Sequence, residues 1–432
     1  MISELEIPIS DFAMAISDAV DMAIPALSHH HKKVAYISYS ISHEMDLPHA
    51  ETQDIVLAAL LHDIGAFTTK DRMKIVEIEV FDTEYDQHSL LGYKLIKDFE
   101  PLANAALLIR HHHANYSRMR DDIPLGSHVI HLADRASVWF DERFLNNRKD
   151  PKAFDKIARN ANSFHPDVLA AFRRLMDSEC FLIEAFLTSP SDALMRRMRF
   201  TKEIVDLETL KSFAMMIAQI IDFRSRFTAT HSSGVAAVAR ELSILEGFSE
   251  RECQLMEIAG LLHDLGKLVV PNEILEKNGP LTDEEFNTVK RHTYFTYSVL
   301  SGISGLEQIA TWAAYHHERQ DGSGYPFMVK KEDFCRLARI MAVADILTAL
   351  TEDRPYRLGM SREKASSILN EKAANGYIDK SIVDKANDNF FRVNNARIKA
   401  QQKAQKEYEE FYLTKNLIDQ NESKVYLALT SA

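Results

Sequence analysis

Ala259-Gly-Leu-Leu-His-Asp-Leu-Gly-Lys267 is an apolar helical run that ends in an adjacent imidazole and carboxylate, followed by a lysine. A neutral imidazole beside a carboxylate at a helix end suits a divalent metal, because both offer lone pairs and the carboxylate has two oxygens with which to bridge. His-Asp pairs also arise by chance, so the pair gains meaning from its company. Upstream stands His231; downstream come His292, the doublet His316-His317 and Asp345. Most of these sit in helix-like apolar surroundings, where a polar side chain is costly unless it has a partner. The doublet opens His316-His-Glu-Arg-Gln-Asp-Gly-Ser-Gly-Tyr-Pro326, whose glycines and proline predict a shaped loop after a helix.

The order of HDLGK at His263 to Lys267, HHE at His316 to Glu318 and DGSGYP at Asp321 to Pro326 resembles the HD-GYP phosphodiesterases, as do Ala344-Asp345 and Asp353-Arg-Pro-Tyr-Arg357. The likeness runs from Ile217 to Phe391 and implies an all-helical domain that holds metals and cleaves a cyclic dinucleotide. By that resemblance His231, His263, Asp264 and Asp345 hold one ion, and Asp264 bridges to a second that His292, His316 and His317 complete. Mixed imidazole and carboxylate ligands suit iron or manganese, with zinc the alternative. Lys267, one turn past His263, presents a cation to the scissile phosphate, which makes Asp264 and Lys267 the expected catalytic residues. Arg354 and Arg357 are expected to grip phosphate or a guanine edge, and Tyr325 to stack on a base. The chain departs from the family at Phe227, where some members carry a glutamate for a third metal, so two metals are expected. Thr296 replaces a usual glycine, and Leu347-Thr-Ala-Leu350 replaces Phe-Asp-Ala-Leu.

An internal repeat organises the rest of the chain. Leu57-Ala-Ala-Leu-Leu-His-Asp-Ile-Gly-Ala66 echoes Ile258 to Lys267, with His62 and His263 an offset of 201 residues apart. The other residues recur in order: His30 with His231, Asp63 with Asp264, His88 with His292, His112-His113 with His316-His317, and Asp134 with Asp345. The histidine runs at 29–31 and 111–113 leave the register open by one residue; the distances to His62 and His88 select His30 and His112-His113. His29, His31 and His111 are then expected to be solvated or hydrogen-bonded helix residues. This first repeat has Ala66 in place of the lysine and lacks the GYP loop. It is expected to be a second metal centre, either a second phosphohydrolase or a regulatory site.

Helical spacing dominates, as at Ile55 to Leu61, Leu102 to Ile109, Val168 to Leu187 and Phe213 to Ile221, so the fold class is all-α with two tandem HD-type domains. Thr282 and Glu285 predict a capping box. Ser189-Pro-Ser-Asp192 breaks the pattern, giving expected domains at 1–190 and 191–395, then a charged, solvated helical tail at 396–432. A composition of 46% hydrophobic and 26% charged residues is that of a globular protein. A formal charge of -12 argues against a DNA or RNA polymer as partner, yet local cations and bound metals allow one small anionic ligand. Cys180, Cys253 and Cys335 are odd in number and lie in apolar neighbourhoods, which predicts buried thiols and a reducing compartment. No signal-like n-region and no apolar run of ~20 residues is present, so a cytoplasmic, membrane-free protein is expected, with a homodimer as its assembly. The expected reaction is hydrolysis of cyclic di-GMP or 3′,3′-cyclic GMP-AMP to a linear 5′-phosphorylated dinucleotide. The alternatives are a silent receptor for the same ligand and a nucleotide phosphohydrolase of the wider HD superfamily.

Overall fold

The computed structural model describes residues 5–22, 29–66, 87–118, 123–140, 156–201, 203–225, 228–353 and 358–430. Arg354, Arg357 and Phe227 lie outside the described residues. The chain divides into two units, Pro8–Lys202 with Thr414–Ala432, and Met1–Ile7 with Glu203–Leu413. Both are helical; the second adds a three-residue antiparallel ribbon that pairs β1 (Leu5–Ile7) with β2 (Glu203–Val205).

In the first unit the described helices are α1 (Ile9–Met22), α2 (His30–Glu44), α3 (His49–Leu61), α4 (Gln87–Ile96), α5 (Ala103–Arg110), α6 (Leu125–Trp139), α7 (Pro166–Met176), α8 (Glu179–Phe186) and α9 (Pro190–Arg197). The second unit repeats the order with α10 (Leu207–Asp222), α11 (His231–Glu246), α12 (Glu250–Leu262), the single turn α13 (Asn272–Leu275), α14 (Asp283–Ser301), α15 (Glu307–Ala314) and α16 (Arg336–Thr351). It then adds α17 (Arg362–Ala374), α18 (Lys380–Asp388) and, as far as Leu413, α19 (Phe390–Thr430). Pairs α2/α3 and α11/α12 pack along each other in their respective units. Capping boxes at Ser249/Glu252 and Thr282/Glu285 set the starts of α12 and α14; each cap is worth ~1 kcal/mol.

After each HD pair a glycine brings the next ligand-bearing helix close. A Cβ on Gly266 would lie 1.9 Å from the His292 carbonyl oxygen, and one on Gly65 would lie 2.2 Å from that of His88. Both helices therefore cross with no side chain between them and the HD turn.

The structure departs from the sequence reading in four places. Ser189 caps α9 by accepting from Asp192 N, and α9 packs on α2, so the division falls at Lys202/Glu203 and not at residue 190. The helical spacing read as one stretch over Val168 to Leu187 is carried by two helices, because the Ser178 hydroxyl accepts from Phe181 N at 3.3 Å and starts α8. The tail expected from 396 begins earlier, at Phe390, and is not merely solvated. Arg397, Gln401, Ala404 and Phe411 are buried, Phe411 lies 5.1 Å from the Phe223 ring, and Gln219 donates to Glu407 at 2.9 Å. Of the cysteines only Cys253 is buried; Cys180, in the first turn of α8, and Cys335, the N-cap of α16, are exposed, since each stands at a helix start that faces the surface.

His128 on α6 is buried, and neither ring nitrogen has a hydrogen-bond partner among the described residues. Burial pushes its pKa down from 6.5 to about 4. As pH falls through 6.5 the unfolded chain takes up a proton that the folded one refuses until about pH 4, so stability is lost across that window. His128→Leu should flatten the urea midpoint of the first unit against pH between 6.5 and 4; an unchanged slope would assign the loss elsewhere.

Candidate metal centres

In the second unit His231 is the first residue of α11, His263 and Asp264 follow α12, and His292 lies within α14. His316 and His317 form a 3-10 turn after α15, and Asp345 lies within α16. These five elements bring the seven side chains together. Asp264 is 2% exposed and faces both ways: Oδ2 lies 3.2 Å from His263 Nε2, and Oδ1 lies 3.4 Å from His292 Nε2. His231 Nε2 is 3.2 Å from Asp345 Oδ1, and His317 Nδ1 is 3.8 Å from Asp345 Oδ2.

The tautomers follow from the outer hydrogen bonds. His263 Nδ1 donates to the Gly260 carbonyl at 2.7 Å, His292 Nδ1 to Val289 at 2.5 Å and His316 Nδ1 to Ala313 at 2.6 Å. Each Nε2 is thereby left with a bare lone pair. Nevertheless His292 Nε2 and His316 Nε2 point at each other across 3.2 Å. Two lone pairs held that close repel unless a cation lies with them. Burial pushes the His292 pKa down to about 3, which keeps the ring in its metal-binding form.

The first unit has the same arrangement. Asp63 Oδ2 lies 3.4 Å from His62 Nε2 and 3.8 Å from His30 Nε2, while its Oδ1 lies 3.1 Å from His88 Nε2 and 3.9 Å from His112 Nε2. His30 Nε2 is 3.4 Å from Asp134 Oδ1, and His113 Nε2 is 3.1 Å from His88 Nε2. His62 Nδ1 donates to Ala59 and His112 Nδ1 to Ile109, as their counterparts do. Among the described residues, His30 Nε2, His62 Nε2, Asp63 Oδ1 and Asp134 Oδ1 are buried without a hydrogen-bond partner. Orphaned acceptors that converge in this way fit a cation. All seven first-repeat residues chosen from the sequence meet here. His31 is buried and bonded to Asp21, and His29 is exposed in a left-handed conformation.

Lys267 Nζ lies 2.5 Å from Asp264 Oδ2; burial opposes its charge, but Asp264 outweighs it and raises the pKa. The Tyr325 ring lies 5.0 Å from that of His317. Glu318 of the HHE motif holds the loop: its carboxylate accepts from Phe327 N at 2.6 Å and Val329 N at 3.1 Å. Thr296, at the family's usual glycine position, accepts from Gly266 N at 2.9 Å and donates to the His263 carbonyl at 3.0 Å, so it ties the HD turn to α14.

Sequence reasoning missed three supporting carboxylates. Asp222 accepts from Ser232 N and Oγ, and its repeat partner Asp21 meets His31; an offset of 201 applied to acidic residues would have found the pair. Glu352, 3% exposed, accepts a hydrogen bond from His231 Nδ1 at 3.1 Å. In the first unit Ser137 holds that place against His30 Nδ1 at 2.9 Å, so the repeat carries no signal for Glu352. Burial alone would lower the His231 pKa, yet Glu352 and Asp345 outweigh it and raise it to about 10. Gln401 of α19 donates to Glu352 at 3.1 Å and to the Thr230 carbonyl at 3.3 Å. A Cβ on Gly234 would lie 2.8 Å from Gln401 Nε2, so that glycine makes room for the contact.

Residues 27–139 match a family profile described as an HD domain, and residues 215–382 match a second HD-domain profile. The chain belongs to the HD-domain family. This tandem HD protein is 29% identical to the 3′3′-cGAMP-specific phosphodiesterase 1 of Vibrio cholerae over 387 residues, 85% of this chain and 89% of that one. It is 33% identical to the 3′3′-cGAMP-specific phosphodiesterase 3 of the same organism, over 59% of this chain and 55% of the relative. The cyclic di-GMP phosphodiesterase response regulator RpfG of Xanthomonas campestris is 38% identical over 155 residues, 35% of this chain and 41% of its own. The crystal structure of the V. cholerae cyclic GMP-AMP phosphodiesterase V-cGAP3 superposes with a TM-score of 0.60 at 22% identity, covering 91% of this chain and 98% of that one, and shares the fold. No described helix of the tandem HD protein is long and apolar enough to cross a membrane.

Proposed function

We propose that the second HD domain is an HD-GYP phosphodiesterase that hydrolyses a cyclic dinucleotide, cyclic di-GMP or 3′,3′-cyclic GMP-AMP, to the linear 5′-phosphorylated product. The observation that carries this reading is Asp264, whose two oxygens face two imidazole sets with bare Nε2 atoms while Lys267 lies against it. His231, His263, Asp264 and Asp345 would hold one divalent ion, and Asp264, His292, His316 and His317 a second, with iron or manganese the metals their donor set suits. Such ions polarise a phosphate oxygen and acidify water. Asp264 fixes their relation to each other. Lys267 places its cation where charge develops on the phosphate, and its contact with Asp264 keeps it protonated. A cavity of about 390 Å³, lined by His316, His317, Asp345 and Tyr325 among others, supports a ligand larger than a phosphate ester. Arg354 and Arg357 remain part of the proposal as phosphate or guanine ligands. The protein is proposed to act in the cytoplasm, as a homodimer, and on no nucleic-acid polymer. Chromatography of products from both cyclic dinucleotides, with Mn²⁺ or Fe²⁺, tests the reading; tight binding without turnover in either metal would leave the silent receptor.

A second reading concerns the first HD domain, favoured by its complete bridged cluster and by Arg135. This guanidinium is fully buried and lies 2.6 Å from Asp134 Oδ2, whereas Ile346 follows Asp345 in the second domain. It is proposed as a second phosphohydrolase, acting on a smaller ester such as the linear product. Full-length His263→Ala/Asp264→Ala protein should still turn over a phosphomonoester or the linear dinucleotide; none turned over would leave a regulatory centre.

A further inference from the structure

The cavity lining continues from His316, His317 and Asp345 to Arg319, Lys372 and Tyr377. Tyr377 follows Gly376, whose φ of +75° ends α17 in a left-handed turn. Its N–H donates to the Lys372 carbonyl at 3.0 Å, and its carbonyl accepts from Gln320 N at 3.1 Å. Asp379, two residues on, accepts from Gln320 Nε2 at 3.1 Å and pairs with Arg336 and Arg339. The turn is thus pinned to the segment that follows HHE, and the Arg319 guanidinium carbon lies 4.5 Å from the Tyr377 ring centroid.

Charge singles out the same place. In a chain of formal charge -12, neither Arg319 nor Lys372 has a carboxylate within 4.0 Å among the described residues, although both line the cavity. The side chain of Arg319 bonds instead to Ser323 Oγ at 3.3 Å. Two cations without anionic partners beside an aromatic ring fit a phosphate next to a base. A cyclic dinucleotide has two phosphates and two bases, and only one phosphate can lie against Asp264 and Lys267 at a time.

We propose that Tyr377, Arg319 and Lys372 form the subsite for the half of the cyclic dinucleotide remote from the scissile phosphate. A purine lies against the Tyr377–Arg319 pair, and Lys372 with Arg319 holds the second phosphate. This inference rests on the phosphodiesterase reading above. Stacking accepts either purine, so the subsite anchors the ligand without selecting guanine over adenine.

The test uses the metal-loaded full chain and two substrates: a cyclic dinucleotide, and bis(p-nitrophenyl) phosphate, which has a scissile phosphodiester but no second nucleotide. Tyr377→Ala should raise KM for cyclic di-GMP and for 3′,3′-cyclic GMP-AMP by about tenfold or more with kcat held within a few-fold, and Tyr377→Phe should restore it. Lys372→Met should act on KM in the same direction. For both Ala and Met variants the loss in kcat/KM should be at least about tenfold larger on the cyclic dinucleotide than on the small ester. Equal losses on the two substrates, or an unchanged KM in Tyr377→Ala, would overturn the subsite while leaving the phosphodiesterase reading intact. Wild-type protein that cleaves the small ester but neither cyclic dinucleotide removes both.

Discussion

Asp264→Asn is expected to lower cyclic-dinucleotide turnover by about 10³-fold or more and to remove metal from the second centre. The amide keeps the shape of the side chain but replaces one oxygen lone pair with N–H donors, and Asp264 is the residue whose two oxygens face the two imidazole sets at 3.2 and 3.4 Å. His263→Ala should do the same, because His263 Nε2 is fixed toward Asp264 by its Gly260 hydrogen bond. Lys267→Met should act differently, with metal retained and kcat reduced by about 10²-fold, since the lysine touches the carboxylate and not the imidazole set. Metal analysis of the full chain separates these outcomes from misfolding, because ions held by the proposed first centre should be retained in every variant. Asp264→Asn protein that retains both its full metal content and its turnover would end the bridging assignment.

Glu352→Gln and Gln401→Leu are expected to weaken metal binding at the second centre by about 10- to 100-fold, the range seen when the outer partner of a metal-binding histidine is changed. Glu352 accepts a hydrogen bond from His231 Nδ1, orients the ring and would strengthen its Nε2 as a donor once a metal replaces the Nε2 proton. Gln401 holds Glu352 and the residue before His231 at once. Chelator competition with Mn²⁺ reads the affinity, and the absorption of the Co²⁺-substituted protein reads ligand geometry, which a general loss of stability would not move. Glu352→Gln keeps a hydrogen bond and loses only charge, so it should fall between wild type and Glu352→Ala. If both variants bind Mn²⁺ as wild type does while their metal-free forms melt earlier, the contact serves folding alone.

Much of this site was legible before any fold was known. Ligand residues of this kind cannot drift along a helix without losing the metal, so their spacing survives in the one-dimensional order, and duplication prints it twice. That is why His30 and His112-His113 could be chosen within ambiguous histidine runs. Supporting groups obey a looser rule. Glu352 and Ser137 serve the same nitrogen from different positions relative to Asp345 and Asp134, so comparing the halves cannot reveal them. Helix ends were partly legible: the Thr282 and Glu285 pair was visible, whereas Ser178 within an apolar stretch was not. Exposure of Cys180 and Cys335 depends on which helix face meets a neighbour, which local hydrophobicity does not state.

The amino-acid order alone determined an all-helical chain, its duplication and the fourteen side chains that meet in two clusters, because helical periodicity and the spacing of these residues are local and repeat at a measurable offset. Tertiary structure decided the rest. Only packing could bring Gln401, at the far end of the chain, against Glu352 through the gap left by Gly234, or join the Tyr377 turn to Arg319 beside the metal-facing cavity. Such contacts link residues with no fixed spacing, and they form because buried polar groups must find partners wherever the packed helices place them.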